Sequence, residues 1–223
     1  MKTSVRAMLI MITVVLVGAG PAQSDNRQWE VVSVPGICTF QIPPTVEIQK
    51  GTYKKANDQF RKAILQIVTS PNHVMAQPRG INDLDPVALK QYCRIIVETE
   101  RGSKGDYARL DEPLAVSGLE LTEIDGQLRK QIEQGAVLST SKGMKMNILS
   151  WQPAKIVRLS GVDALRATYT RTINDAPTVI VNMYTIQNND AMHRITISYR
   201  ESEKDRWAED LERVLGTFKF RKR

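Results

Sequence analysis

The chain has 223 residues, 31 basic against 24 acidic, a formal charge of +7, 42% hydrophobic and 6% aromatic residues, and only two cysteines and two histidines. That length supports one substantial domain with its own core. The cysteines and histidines are too far apart for a CxxC redox pair or a structural zinc site, and no aromatic residues interleave with a basic stripe as single-strand nucleic-acid binders require.

Lys2 and Arg6 form a basic n-region, Met8 to Val17 is an apolar run, and Gly18 to Ser24 ("GAGPAQS") is small and turn-prone. This pattern predicts a signal peptide over 1–24, cut after Ser24, and a single domain over 25–223. The apolar run is shorter than the roughly 20 residues of a membrane span, which leaves an uncleaved anchor as the alternative. No Cys follows the run, so lipid attachment at a new N-terminal Cys has no support. The expected location is the periplasm or the exterior, with no membrane contact required. Losing Lys2 and Arg6 takes the 31 basic residues to 29 and the net charge to about +5.

"WEVVSV" and "ICTFQI" flank the turn dipeptide Pro35–Gly36 and read as a hairpin, with Cys38, Phe40 and Ile42 on one face. "TYKKANDQFRK" is ambiguous, and "AILQIVTS" reads as a buried strand stopped by Pro71. After "NDLD", Asp85 suits a cap and Pro86 a first helical position. Leu89, Tyr92, Cys93, Ile96 and Val97 then recur at helical spacing, which predicts a helix over 86–101. Ser117 and Glu120 have capping-box spacing ahead of a second helix, whose stripe Leu121, Ile124, Leu128 and Ile132 is closed by Gly135. The linker between them carries Asp106, Asp111 and Glu112, whose spacing does not match a calcium loop and suits solvated loop charges.

From Ile148 onward, "ILSW" and "KIVRLSG" are strand pieces interrupted at Pro153. "DALRATYTRT", "TVIVNMYTIQ" and "MHRITISYR" then form a three-strand antiparallel meander, because the links are too short for crossover helices. His193 falls in line with Ile195, Ile197 and Tyr199, which makes it a packed strand residue rather than a base. Ser202 is expected to cap a closing helix anchored by Trp207 and Leu211, with Val214, Leu215 and Phe218 completing the buried stripe and Asp205, Glu209 and Arg213 facing water. The terminal "FKFRKR" could touch phosphate or anionic lipid, but reads more simply as a frayed, solvated tail.

Two cysteines in an oxidising compartment allow a Cys38–Cys93 disulfide, and their apolar neighbours equally suit two buried free thiols. No hydrolase elbow, H-E-x-x-H, Walker loop or dinucleotide motif occurs. The carboxylate pairs Asp83/Asp85 and Glu98/Glu100 suit a helix start and a solvated helix end. No catalytic residue, metal ligand or cofactor-binding residue is predicted, and the chain is expected not to be an enzyme.

The order of "FQIPP", "AILQIV", "GVDALRATYTR", "VIVNMYTI", "HRITISY" and "DRWAEDLERVLGTFKF" resembles the PsbP-like superfamily over most of 28–70 and 155–220. The resemblance implies an α+β fold, an antiparallel sheet flanked by helices in an α/β/α sandwich, with the two-helix excursion as an elaboration. It also favours an exported, non-catalytic accessory or adaptor protein that binds a protein partner in the cell envelope. The alternative is a binder of a small ligand or lipid in a cleft between helices and sheet. No functional residue of the superfamily matches a position here.

Overall fold

The structure, a computed structural model, describes residues 28–60, 73–141 and 143–222. The expected signal peptide and the strand expected at "AILQIVTS" lie outside the described residues. The fold is α+β, with every strand pairing antiparallel. The hairpin β1 (Glu30–Val34) and β2 (Cys38–Ile42) forms around Gly36, which at φ 70 takes the left-handed conformation the turn requires. Strand β3 (Val46–Ile48) leads to α1 (Gly51–Phe60), the helix formed by the ambiguous polar stretch, and then to β4 (Val74–Pro78). A short helix α2 (Pro86–Leu89) precedes β5 (Cys93–Arg101), and the long helix α3 (Gly118–Ser141) precedes β6 (Met146–Leu159). Strands β7 (Val162–Ile173), β8 (Val179–Asn188) and β9 (Ala191–Arg200) form the expected meander, closed by α4 (Lys204–Gly216) and β10 (Lys219–Phe220).

The large sheet runs β3-β4-β5-β9-β8-β7-β6 and the small one β1-β2-β10. One face of the large sheet presents Cys93, Ile95 and Val97 from β5 and Ile195, Ile197 and Tyr199 from β9, and packs against α4 and the hairpin. Trp207, Leu211, Val214 and Leu215 of α4 are all buried there, and Phe218 stacks on Phe40 with ring centroids 4.6 Å apart. Burying each such side chain is worth about 1.5–3 kcal/mol, so this layer supplies much of the core. A smaller second core joins Ile132 of α3 to Ile148, Trp151, Tyr169, Val179 and Val181 on the sheet's other face.

The helix expected over 86–101 is instead one turn of helix followed by a central strand. The apolar positions that matched helical spacing also fill both faces of a strand. Ile95, Ile96, Val97 and Thr99 are β-branched, and β5 pairs with β4 on one side and β9 on the other. The excursion therefore contains one long helix, not two. Its capping box forms as expected, with Ser117 N donating to Glu120 Oε2 at 2.8 Å and Glu120 N to Ser117 Oγ at 3.3 Å. The helix does not stop at Gly135 but runs on to Ser141.

Pro153 does not end a strand. β6 continues through it with register shifts between Ile148 and Ser150 and between Gln152 and Lys155, which an edge strand accommodates. Ser202 does not cap α4, because it lies in the 3₁₀ turn Glu201–Glu203 and the cap position belongs to Glu203. The C-terminal basic stretch is not frayed either as far as Lys222. Lys219 and Phe220 pair with β2, and Arg221 N donates to Ile37 O at 2.8 Å.

Candidate functional site

The feature that stands out chemically is a knob between β4 and β5. Three apolar side chains within six residues face outward there, with Leu84 60%, Val87 64% and Leu89 46% exposed. The local sequence "RGINDLDPVAL" explains the shape. Gly80 adopts φ 98, and a Cβ there would meet Asp85 and Ala88 at 3.1–3.3 Å. Ile81–Asp83 makes a 3₁₀ turn, Asp85 Oδ1 accepts from Val87 N at 2.9 Å, and Pro86 begins the helical turn. Ile81 and Ala88 point inward and are buried, which forces Leu84, Val87 and Leu89 outward. Leu84 itself sits at φ 57, a left-handed conformation that costs a non-glycine residue roughly 1–2 kcal/mol.

A polar network beneath the knob fixes its backbone. Asn82 Nδ2 donates to Ile48 O at 2.9 Å, Asn82 N to Glu47 Oε1 at 2.8 Å, and Lys50 N to Asn82 Oδ1 at 3.1 Å. Gln77, fully buried, reaches Asn82 Oδ1 at 3.3 Å and accepts from Gln49 at 2.5 Å. Arg79 donates to the carbonyls of Pro44 and Val46. On the far side, Lys90 O accepts from Arg200, and Tyr92 N donates to Glu203 Oε2 at 3.0 Å. The apolar tips thus stand on a turn held by β3, β4, β9 and the start of α4, so presenting them requires little ordering on binding.

The histidines have different settings. His193 is fully buried, its Nε2 3.0 Å from Asn188 Nδ2 and its Nδ1 3.0 Å from Thr99 Oγ1, and its ring stacks on Phe220. Because the amide nitrogen of Asn188 can only donate, Nε2 accepts and Nδ1 carries the proton. Burial, assisted by Arg101, pushes its pKa down to about 4 against a small opposing effect of Asp190, so the ring is neutral near pH 7. His73, just ahead of β4, is buried, with Nδ1 3.2 Å from Glu98 Oε1.

The carboxylates singled out in sequence are scattered. Asp85 caps α2, Asp106 accepts from Ser103 N, Asp111 pairs with Lys222 at 3.0 Å and Arg109 at 3.7 Å, and Glu112 lies 3.6 Å from Arg109. Glu98 and Glu100 lie on strand β5, not at a helix end. Among the described residues no three His, Cys, Asp or Glu side chains form a group that could hold a metal ion, and no helix is long and apolar enough to cross a membrane.

Cys38 on β2 and Cys93 on β5 are both buried free thiols in the main core, and burial pushes each pKa up to about 12. Helical spacing puts Leu89 in one stripe with Tyr92, Cys93, Ile96 and Val97, and nothing in that spacing marks Leu84 or Val87. The signal that could have marked them is the turn chemistry of Gly80, Asp85 and Pro86, which leaves too few residues for a stripe to be covered.

No family model matches the chain, and no curated relative matches it. Among solved structures, the chain is similar to cyanobacterial PsbP from Synechocystis sp. PCC 6803, with 12% identity over 91% of this chain and 99% of that one, at a TM-score of 0.46. It is also similar to LpqN, involved in cell envelope biogenesis of Mycobacterium tuberculosis, with 12% identity over 86% and 90% of the two chains at a TM-score of 0.45. A Bacteroides thetaiotaomicron structure aligns at 8% identity and a TM-score of 0.41 over 83% of this chain, which spans 45% of that chain's length. With every one of these TM-scores below 0.5, the likenesses carry no argument about what this chain binds.

Proposed function

We propose that the protein is an exported, non-catalytic accessory protein that docks onto a protein of the cell envelope through the 84–89 knob. The observation that carries this reading is a rigid turn holding Leu84, Val87 and Leu89 in water. Exposed apolar side chains in one short segment favour protein contact, and strain in a left-handed leucine is retained where something other than folding benefits. Export rests on the n-region, the apolar run and the small-residue site at Ala22–Ser24. The non-catalytic part rests on the setting of His193, whose two ring nitrogens are both engaged within the core.

A photo-crosslinking residue placed at Val87 in the full chain, expressed in cells, tests both parts. The expected result is one discrete adduct in the envelope fraction on a chain that begins at Asp25, and no such adduct from the same residue placed at Lys130 on α3. Identical adducts from both positions, or a chain that retains Met1, would remove the reading.

A further inference from the structure

We propose that the cleft between the β8–β9 turn and the C-terminal strand is a binding site for a phosphate-bearing anion. It encloses about 490 Å³, within the range of small-ligand sites, and is lined by Gly36, Lys104, Asn189, Asp190, Arg221 and Lys222. It lies at the Arg101 end of β5, whereas the knob precedes the Cys93 end, so the two sites are separate and stand or fall separately.

The charges of the cleft do not cancel internally. Asp190 faces Arg101 at 3.9 Å, and Asp111 is taken by Lys222 at 3.0 Å and Arg109 at 3.7 Å. Both acids are therefore matched by cations, while the side chains of Lys104 and Arg221 have no carboxylate partner among the described residues. Two cations facing one cleft repel each other, and an anion between them removes that repulsion. An Arg fork and a Lys point charge together suit a phosphate, the first by paired N–H donors and the second by charge.

Both cations are held in place by backbone, not by chance of side-chain position. Asn189, at φ 60, offers its carbonyl to Gly105 N at 3.2 Å and Tyr107 N at 3.0 Å, while Gly102 N donates to Asp190 O at 2.9 Å. Those bonds fix the loop that carries Lys104 to the β8–β9 turn. Arg221 is held at both peptide groups, by its N–H to Ile37 O at 2.8 Å and by Asn188 Nδ2 to its carbonyl at 2.9 Å. The amide of Asn188 is oriented in turn by neutral His193, which gives that buried histidine a positioning role for the cleft.

The test is an NMR titration of the purified protein at low ionic strength with inorganic phosphate, alongside flotation with phosphatidylglycerol vesicles and phosphatidylcholine controls. The expected result is saturable shifts centred on the amides of Gly36, Lys104, Asn189 and Asp190, at least about tenfold weaker binding for Arg221→Ala, and a smaller loss for Arg221→Lys. Lys130→Ala, a remote cation on α3, should leave affinity unchanged. Because the bonds to Arg221 use its backbone, Arg221→Ala should keep the parent's melting temperature, which separates lost binding from lost fold. Phosphate binding without vesicle binding identifies a soluble phosphorylated ligand, and vesicle binding lost in Arg221→Ala identifies a lipid headgroup. Shifts spread evenly over all surface cations, equal binding by Arg221→Ala, or no saturable response to either probe would overturn the site.

Discussion

The indole N–H of Trp207 donates to Glu203 Oε2 at 2.8 Å, and the same oxygen accepts Tyr92 N at 3.0 Å while Oε1 takes Arg200 at 2.9 Å. One carboxylate thus ties the first turn of α4 to the start of β5 and the end of β9. Truncating Trp207, 1% exposed, to Ala should destabilise the protein by about 3–5 kcal/mol, and Leu211→Ala by about 2–5 kcal/mol, in chemical denaturation. Glu203→Gln should lose about 1–3 kcal/mol, because the amide cannot serve all three donors. Burial alone would raise the Glu203 pKa, but hydrogen bonds from Trp207 and Tyr92 and the charge and hydrogen bond of Arg200 outweigh it and hold the carboxyl below its usual range. The unfolded chain therefore takes up this proton at the higher pH. The stability Glu203 provides is present above the ordinary Glu pKa and lost as pH falls through the folded value, and Glu203→Gln should lack that component.

His193 sets a second pH window. Its folded pKa of about 4 lies below the ordinary 6.5, so between these values the unfolded state binds more protons and stability rises with pH. The contribution is complete above about 6.5 and falls away toward 4, on the order of 3 kcal/mol in all. His193→Leu should flatten the stability profile across that window while costing about 1–3 kcal/mol at pH 7 for the partners it leaves at Thr99 and Asn188. Denaturant midpoints measured from pH 4 to 7.5 would show it. A parallel slope in the variant would assign the titration to other groups.

How far the sequence carried the structure depends on whether a pattern had one solution. Alternation in "HRITISYR" and "VIVNMYTIQ" with short turns admitted only an antiparallel meander, and the α4 stripe at Trp207, Leu211, Val214 and Leu215 admitted only one buried face. Leu89, Tyr92, Cys93, Ile96 and Val97 had two solutions, and only pairing with β4 and β9, which lie far away in sequence, selects the strand. The knob was hidden by the same ambiguity, since a helix over 86–101 would bury Leu89. Long-range polar ties were equally out of reach. Asp125 on α3 accepts Trp151 Nε1 at 2.9 Å and Ala154 N at 2.7 Å beside a β6 register shift, and nothing in the spacing of these residues announces it.

The thiols give a direct chemical prediction. With both pKa values pushed up to about 12 and both side chains buried, Cys38 and Cys93 should resist alkylation in the native protein. Both should be alkylated fully in denaturant without any reductant, as read by intact mass. Labelling that required a reductant would show that the native protein carries a disulfide.

If the knob exists for a partner and not for the fold, Leu84→Gly separates the two roles. Glycine relieves the left-handed strain at φ 57 but adds unfolded-state freedom, two effects of about 1 kcal/mol in opposite directions. Removing a 60% exposed side chain forfeits little core. A Leu84→Gly protein should lie within about 1 kcal/mol of the parent and no longer form the complex identified by crosslinking at Val87. A variant that keeps the complex at the parent's affinity, or one that loses it only by losing about 2 kcal/mol or more of stability, would rule out the knob as the docking surface.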